Sequence, residues 1–277
     1  MNTPHTILVA VDFSTGSHAA LVQAAHAAAF RSAALHVLHV VDSAAVATLA
    51  DMQGGSYESH AVIAAQGAQA ALERWMGQCG LNVEYHGTVA IGHPVHEILE
   101  HARMLNASLL VAGLQGAGQS CEGAGSVSAK LARKSTVPVL LVRPGQVQTF
   151  HKIVACVDFT PSSHQVIKTA CLMARQHATG LECLHVWKEP WVVAFDPGAA
   201  LTSAYPVIIF TQQEREAHVR HLQEDLRGHV GEAAPDVPCI EVLREARSHG
   251  SGIVDHAKEC RADLVVIGST GRGGLRG

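Results

Sequence analysis

The chain repeats itself. The stretch HTILVAVDFSTGSHAALVQAAHAAAFRSAALHVLHVVD beginning at His5 aligns without gaps with HKIVACVDFTPSSHQVIKTACLMARQHATGLECLHVWK beginning at His151, 146 positions further on. Ile7 meets Ile153, Val11-Asp12-Phe13 meets Val157-Asp158-Phe159, Ser17-His18 meets Ser163-His164, and Leu38-His39-Val40 meets Leu184-His185-Val186. Ala107–Gly113 and Ala262–Gly268 form a second correspondence with an offset of 155, so nine more residues intervene in the second copy. A duplication of this length within 277 residues sets two domains of like architecture. The joint falls near Pro144–Gln148, which assigns residues 1–147 to one domain and 148–277 to the other.

Each copy alternates strand and helix signals. In the first, Thr6–Val11 is a short continuous apolar run, the mark of a strand buried on both faces of a parallel sheet. Further strands are expected at Ala34–Val41, Val83–Ala90, Ser108–Ala112 and Val137–Val142, with helices at Ser17–Arg31, Glu58–Cys79, Val95–Met104 and Ser126–Lys134. The second copy offers strands at Lys152–Val157, Gly180–Val186, Cys239–Arg244 and Asp263–Ile267. Its helices are expected at Ser163–His177, Gln212–His229 and Gly252–Cys260. It stops at Gly277, short of the repeat's last helix and strand. The expected fold class is therefore α/β, two tandem doubly wound parallel-sheet domains, the second without its final helix and strand.

Composition narrows the function classes. Apolar residues at 48% supply two cores, and 20 Lys+Arg against 24 Asp+Glu leave a net charge of −4, with no basic footprint for nucleic acid or anionic lipid. No apolar run reaches the roughly 20 residues needed to span a bilayer, and Met1–His5 lacks the basic start of a secretory leader. The seven cysteines form no C-x-x-C pair, which suits reduced thiols and a cytoplasmic location. The 19 histidines contain no H-x-x-x-H or H-E-x-x-H pair, so no metal centre is expected. His18 and His164 recur as structural helix residues. There is no G-x-S-x-G elbow, no G-x4-G-K-[ST] loop and no paired-carboxylate signature, so no catalytic residue is assigned.

Several residues together resemble the universal stress protein family in its tandem, Rossmann-like form. They are the strand ending Val-Asp-Phe-Ser/Thr, the Leu-His-Val strand, Gly92-His93-Pro94 before a helix, and the glycine loop after the fourth strand with Val137-Pro138-Val139-Leu140-Leu141-Val142 beyond it. The likeness covers nearly the whole chain. It implies strand order 3-2-1-4-5, so the order reverses between strands one and four, where open α/β sheets bind ligands. It also implies ATP or a related adenine nucleotide, with or without Mg2+, and a loop of form G-x2-G-x9-G-[S/T]. In copy one the residues so implied are Ala10, Val11, Asp12, Phe13, Ser14, Val40, Ala112, Gly113, Gly116, Gly125, Ser126 and Val127; in copy two they are Asp158, Val186, Gly268, Gly271 and Arg272. The position of Asp12 lies by the adenine in the family, with that of Val40 beside it.

Physical chemistry gives the same loop a reason. Glycines let backbone N–H groups approach phosphate oxygens, and the helix start at Gly125-Ser126 adds a partial positive charge. Two readings stand for Asp12 and Ser14, site residues or caps of the next helix, and two for Val40, site or sheet core. Both copies depart from the motif. Copy one has eight residues, 117–124, between Gly116 and Gly125, with Glu122 and no Lys or Arg among them. Copy two has Gly268-Ser-Thr-Gly271-Arg272 but ends six residues after Gly271. Cys121 reads as a redox-sensitive thiol or an inert one, and the connection 189–210 as a lid or as packing surface.

Three functions follow: a nucleotide-responsive module that alters its affinity for an unidentified protein partner, a scaffold that binds protein without nucleotide, and a slow ATPase. Because copy two lacks a fifth strand, Val137–Val142 is expected to pair across a two-fold axis in a homodimer, or onto the bare edge of copy two. A lysine at Leu140 is then expected to weaken the dimer.

Overall fold

The computed structural model describes residues 5–116, 124–146, 149–188, 212–234 and 236–268. The chain divides into two compact units, Met1–Gln148 and Thr149–Gly277. No helix among the described residues is long and apolar enough to cross a membrane.

The first unit runs β1 (Thr6–Val11), α1 (Thr15–Arg31), β2 (Ala34–Asp42), α2 (Ser43–Gln53), α3 (Tyr57–Cys79), β3 (Tyr85–Gly92), α4 (Pro94–Met104), β4 (Leu109–Gly113), α5 (Ser126–Lys134) and β5 (Val139–Val142). Its five strands are parallel in the order β3-β2-β1-β4-β5, as the repeat and the resemblance lead one to expect. Right-handed crossovers put α1 and α3 on one face and α4 and α5 on the other. On the second face Leu8, Leu38, Ile98, Leu110 and Leu131 form a dry cluster, with Ala10, Val40, Val139 and Leu141 packed at its margin. Alanines 19, 20, 24, 27 and 28 of α1 are all buried, and these short side chains let the helix lie close on β1, β4 and β5.

The second unit runs β6 (Ile153–Val157), α6 (Ser162–Gln176), β7 (Leu181–Trp187), α7 (Gln212–Ala233), β8 (Cys239–Glu245), α8 (His249–Glu259) and β9 (Leu264–Val266). Its sheet has four described strands, all parallel, in the order β8-β7-β6-β9. Here α8 covers Val154, Leu184 and Val186 through Ile253 and Cys260.

Element ends shift where side chains bond to backbone. β5 begins at Val139 rather than Val137, because Ser135 Oγ accepts from the Val137 N–H (3.2 Å) and donates to its carbonyl (2.8 Å), and Pro138 has no N–H to give. α8 begins at His249 rather than Gly252, since Ser248 Oγ accepts from the Ser251 N–H at 3.0 Å and caps an earlier turn. α2 carries no expectation from sequence. Asp42 caps it by accepting from the Ala44 N–H at 3.0 Å, and it buries only Val46 and Ala50, too narrow a stripe to stand out.

Candidate functional site

The strand order reverses between β1 and β4, beyond whose carboxyl ends open α/β sheets bind ligands. β1 stops at Val11. Phe13 takes a left-handed backbone (φ 64°), which turns the chain so that Ser14 caps α1. Asp12 Oδ1 accepts from the Ser14 N–H (3.1 Å), the Ser14 hydroxyl (2.6 Å) and the Ser17 hydroxyl. Ser17 Oγ in turn accepts from the N–H groups of Asp12 and Ser14, both at 3.1 Å, and Ser14 Oγ accepts from the Ser17 N–H at 3.1 Å. Oδ1 of Asp12 thus belongs to the network at the start of α1, as the capping reading has it, and Oδ2 lies close to Gly116.

That approach dictates the glycines. A Cβ on Gly116 would lie 2.6 Å from Asp12 Oδ2, and one on Gly113 would lie 2.8 Å from the Gly16 backbone. A Cβ on Gly16 would sit closer to the Gln115 carbonyl oxygen than real Cβ atoms come to a non-bonded neighbour. The loop after β4 thus rests directly on the first turn of α1. Its neck is closed by the Leu114 carbonyl, which accepts from the Gly125 N–H and the Ser128 hydroxyl, each at 2.8 Å, while the Leu114 N–H donates to Val142 at 2.7 Å. α5 then starts at Ser126 behind Gly125, with no side-chain cap among the described residues. Ser126 and Val127 are exposed there.

The remaining candidates separate onto two faces by the period-two alternation of the strands. Ala10, Val40 and Ala112 face the cluster under α4 and α5, which makes Val40 part of the sheet core at its margin. Val11 is buried on the opposite face, where Phe13 stacks on His39 with ring centroids 4.3 Å apart and meets Trp75 edge-on at 5.7 Å. His39 Nδ1 donates to the Val11 carbonyl at 2.9 Å. Copy two repeats this pair: Phe159 has φ 60°, stacks on His185 at 4.0 Å, and His185 Nδ1 donates to Val157 at 2.8 Å. Sequence reasoning passed over His39 and His185 as site-shaping residues, although their recurrence in the Leu-His-Val match was the available signal.

In copy two, Asp158 Oδ1 accepts from the Thr160 N–H (3.1 Å), the Thr160 hydroxyl (2.6 Å) and the Ser163 hydroxyl (3.0 Å). Val186 is buried in the core under α8. Among the described residues, a Cβ added at Gly268 would meet Val166 at 3.5 Å and Ser162 at 3.7 Å. Ser162 stands where copy one has Gly16. Cys121, Glu122, Gly271, Arg272 and the connection 189–210 lie outside the described residues. Among the described thiols, burial pushes Cys156 up to about 12, which leaves it little thiolate at neutral pH.

The serine network predicts its own weight. Ser17 is 2% exposed and uses both acceptor sites and its proton. Ser17→Ala should cost unit one about 1–3 kcal/mol, read as a lower urea midpoint. Ser163→Ala, which removes the same acceptor from the Asp158 N–H, should cost unit two a similar amount. Unchanged midpoints would mean that water takes over these bonds.

Comparison with known proteins agrees with this architecture. The universal stress protein Rv2005c of Mycobacterium tuberculosis is 30% identical over 293 aligned positions, covering 99% of this chain and 90% of its own. YxiE of Bacillus subtilis is 35% identical over 145 residues, half of this chain and 97% of its own. The crystal structure of a universal stress protein from Archaeoglobus fulgidus shares the fold with a TM-score of 0.62 at 18% identity, covering 98% of this chain and 89% of that one. The model of the universal stress protein family matches twice, at residues 4–143 and 149–277. With both halves of its repeat so matched, the chain belongs to the universal stress protein family as a tandem member.

Proposed function

We propose that copy one binds ATP or a related adenine nucleotide at the carboxyl ends of β1 and β4, and that this binding changes the affinity of the protein for a protein partner in the cytoplasm. One observation supports the reading: the start of the glycine loop, Gly113–Gly116, rests on Asp12 and the first turn of α1, and the Gly125 N–H to Leu114 bond brings the start of α5 to the same end of β4. Backbone N–H groups at that start suit phosphate oxygens. Residues 117–124 include no Lys or Arg, so the phosphates enter with weak charge compensation or with Mg2+. The affinity should be modest, a Kd of tens of micromolar, about −6 to −7 kcal/mol.

Calorimetry with ATP on the full chain tests this. Heat with one equivalent of ATP supports the reading; no heat and no thermal shift at about 1 mM ATP rejects it, and leaves the protein-binding scaffold as the function. Copy two should bind more weakly, because Ser162 stands in the position whose counterpart has no room for a Cβ beside the loop. An azido-adenine probe that labels the second half preferentially would reverse that ranking. The exposed edge of β5 supports a homodimer through strand pairing.

A further inference from the structure

We infer that Glu182, His256 and Cys260 form a Zn2+ site in unit two. Glu182 is the second residue of β7 and lies on the face covered by α8, the same face as Leu184 and Val186. It is 8% exposed, an unusual place for a carboxylate. Lys152 donates to its Oε1, and Oε2 lies 3.0 Å from His256 Nε2. His256 and Cys260 are four positions apart on and at the end of α8, so both side chains point to one face of the helix. Cys260 Sγ has a weak partner in the Ala257 carbonyl at 3.8 Å. The carboxylate oxygen, imidazole nitrogen and sulfur all lie within 4.8 Å of one another, and no other such group of three occurs among the described residues.

The 3.0 Å between Oε2 and Nε2 is near the ligand spacing of a tetrahedral centre, and the sulfur lies within 4.8 Å of both. Nitrogen and oxygen ligands about 2.0–2.1 Å from Zn2+ stand about 3.3 Å apart, and sulfur at about 2.3 Å stands about 3.5 Å from either. The donor set of one sulfur, one nitrogen and one oxygen suits Zn2+ and does not suit Mg2+ or Ca2+, which take oxygen ligands. Three protein ligands leave a fourth position for water or an incoming group. On binding, the Cys260 thiol proton leaves to solvent, His256 ligates through the Nε2 lone pair with its hydrogen on Nδ1, and Glu182 ligates through Oε2. Lys152 remains on Oε1 and holds the carboxylate in place. The set belongs to copy two alone: copy one has His36, His101 and Leu105 at the matching positions. It lies at the amino end of the sheet, away from Asp158 at the carboxyl end, and a search for paired histidines passes over it because Glu182 comes from a distant strand.

Co2+ added to the reduced full-length chain tests the assignment. One equivalent should give the visible bands of a tetrahedral ion and a thiolate-to-cobalt charge-transfer band, both abolished by Zn2+. Cys260→Ser should remove the charge-transfer band. Glu182→Gln and His256→Gln should weaken Zn2+ by at least about tenfold, the loss that even an outer-shell partner produces. Cys239→Ser should leave the spectrum unchanged. A wild-type titration without a thiolate band, or a band that survives Cys260→Ser, overturns the site and leaves Lys152, Glu182 and His256 as an ion network. Should Cys260→Ser fail to fold by thermal melting, His256→Gln decides: unchanged Zn2+ affinity in that folded variant overturns the site equally.

Discussion

Gly16→Ser should abolish nucleotide binding by copy one and lower the stability of unit one by about 1–3 kcal/mol. The glycine is the second residue of α1, where serine is compatible with the helix. What it lacks is space. Its Cβ would intrude on the carbonyl oxygen of Gln115, a backbone atom that no side-chain rotation can move aside. Relief requires the loop after β4 to lift, which carries Gly116 away from Asp12 and strains the neck at Leu114. Calorimetry should then show no ATP heat at concentrations that saturate the wild type, with a lower urea midpoint for unit one. Wild-type affinity in the folded variant would mean that the nucleotide does not use this loop.

The same substitution already exists in the chain, as Ser162 of copy two. Both copies join the Asp carboxylate to a buried Ser hydroxyl, though only α1 has a side-chain cap, and both hold Phe and His stacked behind it. Among the described residues the copies differ beside the glycine at the carboxyl end of the fourth strand. In copy one an added Cβ on Gly113 would meet the α1 backbone; in copy two one on Gly268 meets only side chains at ordinary distance among the described residues. The difference in proposed function between the halves therefore rests on how closely strand and helix approach, rather than on the carboxylate they share.

Much of this was legible in the residues. Continuous apolar runs placed the central strands, Thr6–Val11 and Leu109–Gly113 in unit one, because strands buried on both faces need no polar alternation. The more exposed β3 and β8 followed from their place in the alternation of strand and helix. The strand order, and with it Asp12 and the loop glycines beside the reversal point, came with the family resemblance. Three things were not legible. The role of Gly16 depends on Gln115, which only the folded sheet brings beside it. The limits of β5 and α8 depend on single serine bonds that compete with the apolar pattern. The division of Ala10 and Val40 from Val11 and Phe13 follows from alternation along the strands, a signal present in the sequence but hidden when adjacent residues were grouped by motif.

Leu140→Lys should unfold unit one rather than open a dimer. The sequence suggested that Leu140 would meet a partner strand, but it is 8% exposed within its own unit, on the face that α1 covers. A lysine there gives up the buried leucine and places an ammonium in an apolar layer, a loss of about 4 kcal/mol or more from a domain with about 5–15 kcal/mol in hand. The melting transition of unit one should fall by roughly 10 °C or more, with that of unit two unchanged. Pairing at the edge is instead a matter of backbone. Leu110 donates to the Pro138 carbonyl and Leu114 to that of Val142, so residues 138, 140 and 142 turn their polar groups to β4. By alternation Val139 and Leu141 turn theirs to the open edge. Leu141→Pro removes an edge donor and spares the ladder to β4. If β5 forms the dimer, this variant should be monomeric in light scattering while unit one stays folded, its melting lowered only by the core contacts that Leu141 gives up. A wild-type chain that is monomeric across micromolar concentrations rejects the dimer, and a Leu140→Lys variant that stays folded and merely dissociates would show that Leu140 faces the partner after all.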